Sequence, residues 1–158
     1  MNRLDYLKRK QKGKFEILKF KKLLGSLFLE DFECLDLVAS DEILSYLKTA
    51  FLGFKIKNEI VNGQKTTFVD SDLLREIYLT IQEDSTSYIF NENFENCGLF
   101  LVGAKSALEQ AFNIAKEDEG NTCFILDQKF SYYFRINYND RDHIENPNSY
   151  DIQLTYKK

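Results

Sequence analysis

Phe130-Ser131-Tyr132-Tyr133-Phe134-Arg135-Ile136-Asn137-Tyr138 carries an aromatic or aliphatic residue at every even position over nine residues. In a strand, successive side chains point to opposite faces, so this spacing lines one face with apolar groups. Two flanking stretches also read as strands. Thr122 to Asp127 reads as a strand, and Tyr150, Ile152, Leu154 and Tyr156 alternate with Asp151, Gln153 and Thr155. A very short connection joins the first two strands. The expected result is an antiparallel β-meander with one face buried. The cover for that face is expected just upstream, in a helix over 104–118. There Ala104, Ala107, Leu108, Ala111, Phe112 and Ala115 recur at steps of three and four, Lys105 is one turn from Glu109, and Gly120 supplies the stop. The fold class is α+β, organised as one domain.

Further upstream the signals are local. Ser40 is suited to cap a helix whose first turn holds Asp41 and Glu42, with Ile43, Leu44, Leu47, Phe51 and Leu52 as its apolar face. Residues 54–69 read as a β-hairpin around Asn62-Gly63, a dipeptide that accepts the positive φ such turns need. Asp70 then caps a helix over 71–83 with Leu74, Ile77, Tyr78 and Ile81 on one side. Tyr88-Ile89-Phe90 and Leu99 to Val102 read as short strands. Residues 1–29 are ambiguous: Leu4, Leu7, Phe15 and Leu18 suit a helix that Gly13 interrupts, while Phe15, Ile17 and Lys19 suit a strand.

The chain has 158 residues, 44% of them hydrophobic and 29% charged, enough apolar material for one core and too much charge for a membrane protein. Its longest apolar run, Leu23 to Leu29, falls far short of the roughly 20 residues of a spanning helix. That run follows basic residues, but it has no small-residue cleavage site and leads into Glu30-Asp31, so it is not read as a signal peptide. A cytoplasmic chain with reduced thiols is expected. Cys34, Cys97 and Cys123 are odd in number, widely separated and set among apolar or small residues, which points to core thiols rather than disulfides.

The net charge of −4 hides a division. Residues 1–24 hold nine basic and two acidic side chains, a net of +7, and the remainder holds 12 basic and 23 acidic, a net of −11. Such asymmetry often marks an interaction surface or tail.

Several chemistries lack their residues. Neither a GxGxxG nor a GxxxxGK[ST] phosphate loop occurs. The cysteines show no zinc-ligand spacing. His143 is the sole histidine, so a nucleophilic triad would have to use it. It lies in the polar connection 139–149, where Asp140, Asp142 and Glu145 stand beside Arg141. Oxygen ligands in this loop would suit Mg²⁺ or Ca²⁺, but the spacing is not that of an EF-hand and no glycine provides its sharp turn. No metal and no cofactor is expected. The basic segment, with Tyr6, Phe15 and Phe20, offers contacts for nucleic acid or an anionic membrane, against which the acidic body repels phosphate.

Cys123-Phe-Ile-Leu-Asp127, Phe130-Ser-Tyr-Tyr-Phe-Arg135 and Tyr150-Asp-Ile-Gln-Leu154 resemble the closing meander of small immunity proteins of bacterial contact-dependent inhibition and polymorphic toxin systems. The likeness covers about a quarter of the chain. It implies a cytosolic, non-catalytic protein that neutralises a cognate toxin by direct binding. Nuclease toxins are generally basic, and an acidic inhibitor gains association rate from the opposite charge. Charge and loop placement then nominate Asp140, Arg141, Asp142, His143 and Glu145 as the partner contact. The alternatives are a carboxylate-dependent enzyme and a nucleic-acid-associated regulator acting through residues 3–22.

Overall fold

A computed structural model describes residues 2–27, 32–63, 67–140, 145 and 147–157. Seven strands form one antiparallel sheet: β1 (Glu33–Cys34), β2 (Lys55–Asn62), β3 (Thr86–Phe90), β4 (Phe100–Gly103), β5 (Thr122–Asp127), β6 (Tyr132–Asn139) and β7 (Ser149–Tyr156), in the spatial order β1-β4-β3-β5-β6-β7-β2. Six helices accompany it: α1 (Arg3–Lys12), α2 (Lys14–Leu27), α3 (Leu37–Ala50), α4 (Asp72–Thr80), α5 (Phe94–Cys97) and α6 (Ala104–Glu117). The α+β class and the closing meander are as the alternation requires. Phe134 pairs with Ile125 on one side and Leu154 on the other, and Ile136 pairs with Cys123 and Ile152.

The two faces of the sheet are covered by different elements. On the inner face, Ile89, Phe100, Ile125, Phe134, Ile136 and Ile152 pack against Leu108 and Phe112 of α6, Phe20 and Leu24 of α2, and Leu74 of α4. Small residues at 104, 107, 111 and 115 let α6 approach the sheet closely. The Phe112 ring stacks on Tyr150 at 4.3 Å between centroids. On the outer face, Tyr88, Phe90, Phe124 and Leu126 lie under Ile43, Leu44 and Leu47 of α3 and Phe51 at its C-cap. Leu52, expected on the apolar face of that helix, is 74% exposed, because the helix ends at Ala50 and the chain turns away.

Four local expectations are corrected. First, β2 does not form a hairpin with the residues that follow it: it pairs along its length with β7, nearly a hundred residues away, and the Gly63 amide extends that ladder by donating to the Asn148 carbonyl at 2.6 Å. Residues 64–66 lie outside the described residues, and 68–70 form a 3-10 turn. Second, Asp36 caps α3, accepting from the Ala39 amide, while Ser40 is fully buried within that helix and its Oγ accepts from the Leu99 amide at 2.9 Å. Third, Ser71 rather than Asp70 caps α4, which is shorter than expected. Glu59 reaches over from β2 to accept from the Ser71 hydroxyl at 2.5 Å and the Asp72 amide at 2.9 Å. Fourth, Phe130 is not in the strand. It sits at φ 58° in the turn between β5 and β6, which Asp127 organises by accepting from the Ser131 amide and hydroxyl.

Two smaller revisions concern α6. The Lys105 ammonium meets Glu83 at 2.9 Å, and Glu109 instead accepts from the Tyr78 hydroxyl. The helix stops at Asp118, with the left-handed residue at Asn121 (φ 53°) rather than at Gly120.

The ambiguous basic segment is helical. Gly13 is the single turn residue between α1 and α2: its amide donates to Arg9 and its carbonyl accepts from Ile17, so the two helices follow one another directly. The glycine is there for space, since a Cβ at this position would lie 2.1 Å from the carbonyl oxygen of Asn96 in α5.

Candidate protein-binding surface

Antiparallel pairing brings one set of chain ends to a single end of the sheet: the C-terminal ends of β3, β6 and β2 and the N-terminal ends of β5 and β7. Acidic residues collect there from separate segments. Glu92 follows β3, Asp118 and Glu119 lie between α6 and β5, Asp140 follows β6, Glu145 precedes β7, and Asp151 lies near the start of β7. Glu92, Glu119, Asp140 and Glu145 are exposed.

The groups behind this acidic end are held in place. Asn139 donates from Nδ2 toward Ser149 Oγ (3.1 Å) and Asp151 Oδ2 (3.2 Å), tying the end of β6 to the start of β7. The Tyr138 hydroxyl donates to Asn148, itself at φ 54°. Thr122 Oγ1 lies within hydrogen-bond distance of Glu92 (3.3 Å) and Asn137 (3.0 Å). Asp118 is the one buried carboxylate of the set. It accepts from the Asn91 side chain at 3.0 Å and from the Gly120 and Thr122 amides. Burial raises its pKa above the ordinary carboxylate value, these hydrogen bonds pull it back, and Glu92 pushes it up again. Lys19 of α2 crosses to Glu119 at 3.2 Å, so part of this negative charge is already answered from within the chain.

Beside the acidic end, beyond Tyr133, no described helix packs on the outer face of β6, β7 and β2. The register places Arg135, Gln153 and Asn58 in one row and Asn137, Asp151 and Ile60 in the next. They line a shallow depression of about 410 Å³. The Arg135 guanidinium lies over the Phe124 ring, 5.9 Å from its centroid, at the boundary with the aromatic half covered by α3.

Of the residues nominated from the sequence, Asp140 and Glu145 stand at this end, while Arg141, Asp142 and His143 lie outside the described residues. Asp151, Asn137, Asn139 and Glu92 were not nominated. Asp151 and Asn137 are the polar partners in an alternating strand, and such positions look like ordinary solvent-facing residues. Only the pairing of Asn137 with Asp151 shows that they share a face with the loop ends.

A second concavity, of about 380 Å³, lies between α1–α2 and the start of α3 and includes Ile17, Cys34, Leu37 and Cys97, with Lys10, Lys14 and Lys21 at its sides. The three thiols are free. Burial raises all of them: Cys34 moderately, with Lys21 offsetting part, Cys97 to about 11, and Cys123 furthest. A protonated thiol is a poor nucleophile. A thiol-exchange reagent at neutral pH is therefore expected to modify Cys34 slowly in the folded protein, and Cys97 and Cys123 only after unfolding. Peptide mapping after timed exposure checks this, and fast labelling of Cys97 in the native state would contradict it. Among the described residues no group of three or more histidine, cysteine or carboxylate side chains is placed to hold a metal ion, and no helix is long and apolar enough to cross a membrane.

No protein-family model matches the chain, and a search of curated proteins finds no significant match.

Proposed function

We propose that this chain is a non-catalytic binding protein that neutralises a basic protein partner, in the manner of the immunity proteins its C-terminal meander resembles, the partner being a nuclease-type toxin domain. The observation that carries this reading is the gathering of Glu92, Asp140, Glu145 and Asp151 from separate segments at one end of a rigid sheet, next to an uncovered polar face. A field built this way steers a basic partner toward one surface and raises the encounter rate without any catalytic group. Loops anchored on paired strands are common recognition sites, because the scaffold holds their ends. Asp142 belongs to the same connection and adds its charge to it.

The test is binding kinetics against the basic domain that co-purifies from the native host, at two salt concentrations. Reversing charge together at Asp140, Asp142 and Glu145, each to lysine, is expected to slow association by about tenfold or more at low salt, with the deficit shrinking at high salt. Asp151→Lys is expected to act in the same direction and also to raise the dissociation rate, since this side chain sits inside the depression rather than at its rim. Unchanged rates for both variants would move the interface elsewhere on the molecule.

A further inference from the structure

The outward side of the N-terminal rod is apolar. Leu4, Leu7, Phe15 and Leu18 are 61%, 49%, 71% and 57% exposed. Their positions, with Gln11 between, advance by three or four residues at each step and so fall on one line along the helix. The opposite side attaches the rod to the body. Phe20 and Leu24 are buried in the core, Gly13 is pressed against α5, and Arg9 forms a two-pronged pair with Asp41 at 2.7 and 2.9 Å. The apolar line therefore cannot turn inward. It is presented to solvent by two successive helices held to the body at Arg9, Gly13, Phe20 and Leu24.

Lysines flank this line on both sides. On a helical projection Lys8 and Lys12 fall on one flank, where Lys19 is engaged by Glu119, and Lys10, Lys14 and Lys21 fall on the other, all exposed. An apolar stripe between two rows of basic residues is the arrangement of a helix that lies in the plane of a membrane interface. We propose that α1 and α2 form a peripheral docking surface for anionic lipid bilayers, with Leu4, Leu7, Phe15 and Leu18 at the boundary between headgroups and acyl chains and the lysine ammoniums among the lipid phosphates.

Three features favour lipid over other anionic partners. The surface is the convex outer side of two helices rather than a groove, which suits a plane. Its flanking charges are nearly all lysines, whose long stems let the ammonium reach the headgroup level while the stem stays beside apolar surface. The exposed leucines have no stacking role toward bases, so nucleic acid would leave them in water. The acidic end of the sheet is built from other segments and touches α2 at the Lys19–Glu119 pair, and the apolar line is a separate contact that does not depend on the proposed partner.

Co-sedimentation of the full chain with vesicles tests the proposal. Binding to mixed phosphatidylcholine–phosphatidylglycerol vesicles is expected, weakening as salt rises, with little binding to phosphatidylcholine alone. The double variant Phe15→Ser/Leu18→Ser removes only exposed side chains, so its circular dichroism should match the parent, and its partition onto the anionic vesicles should fall by about tenfold or more. Lys8→Gln/Lys12→Gln/Lys14→Gln should weaken binding similarly and flatten the salt dependence. No preference for anionic vesicles overturns the proposal. Undiminished binding of the Phe15/Leu18 variant also overturns it, by reducing the contact to bulk charge. Capture of an acidic protein by this face without vesicle binding would assign the surface to that partner instead.

Discussion

Replacing Phe134 with alanine is expected to lower the unfolding free energy by about 3–5 kcal/mol, a large fraction of the roughly 5–15 kcal/mol that holds a domain together. Phe134 is fully buried in β6, a strand paired on both sides, and its register partners Ile125 and Leu154 are buried as well. Its ring meets Tyr132 edge-on at 5.7 Å and belongs to the cluster that includes Leu108 and Phe112 of α6. A strand paired on both sides cannot collapse into the space left by the ring. The cavity cost therefore adds to the lost transfer free energy. Phe134→Leu keeps most of the volume and is expected to cost no more than about 1.5 kcal/mol. Phe15→Ala provides the contrast: the same change at a residue 71% exposed should stay within about 0.5 kcal/mol of the parent. Urea unfolding of the three variants, analysed with a common m-value, gives the comparison. A loss below about 1 kcal/mol for Phe134→Ala would show that the α6–sheet interface is not packed as described.

The part of the fold that was legible in the sequence was encoded by periodicity. From 132 to 156 the side chains alternate because one face of β6 and β7 meets α6 while most of the other meets water, β5 is apolar throughout because both its faces are buried, and α6 repeats its small residues because it lies close to the inner face. Where a residue type has several uses, local reading went astray. Asp36 and Ser40 can each cap a helix; the chain uses Asp36 for that and buries Ser40 to satisfy the Leu99 amide. Asn62-Gly63 does mark the end of a strand, but a turn dipeptide says nothing about which strand pairs alongside, and β7 takes that place. Glu59 looks like a solvent-facing residue of a strand, yet its carboxylate serves the start of α4, a contact fixed only when β2 is set at the sheet edge.

The candidate surface was legible only at its rim. A polar loop rich in aspartate stands out in a sequence because its neighbours are regular strands. The residues behind it do not stand out: Asn137, Asn139 and Asp151 occupy the polar positions of an alternating pattern, and Glu92 and Asp118 sit in connections far away in the chain. Their convergence depends on strand order, since β3, β5, β6 and β7 must lie side by side before these ends meet. The division of charge was visible from composition, but not its consequence. The basic segment is no loose tail; it is a rod anchored by Arg9, Phe20 and Leu24, so its charge is held at a fixed place on the body.

Gly13→Ala is expected to destabilise the protein by about 1–3 kcal/mol, although helix propensity alone predicts a gain of nearly 1 kcal/mol for the same change. Gly13 has a right-handed helical backbone, φ −82° and ψ −5°, so alanine meets no conformational obstacle there. The obstacle is α5. A new Cβ would lie 2.1 Å from the Asn96 carbonyl oxygen and 2.7 Å from its carbon, and both are backbone atoms that cannot rotate aside. The rod must therefore shift away from α5. That shift strains the pairing of Arg9 with Asp41 and the 2.6 Å bond from Arg9 Nε to the Glu95 carbonyl. Gly13→Val should cost more, because its branches add volume at the same contact. Two measurements separate this account from a general loss of stability. Urea unfolding gives the sign of the alanine change, and the native-state rate of thiol modification at Cys97 reports whether α5 has been uncovered. Gly25→Ala is the matched control, since a Cβ there meets nothing within 4 Å and helix propensity should prevail. A stabilising Gly13→Ala with unchanged Cys97 protection would mean that the rod does not rest on α5.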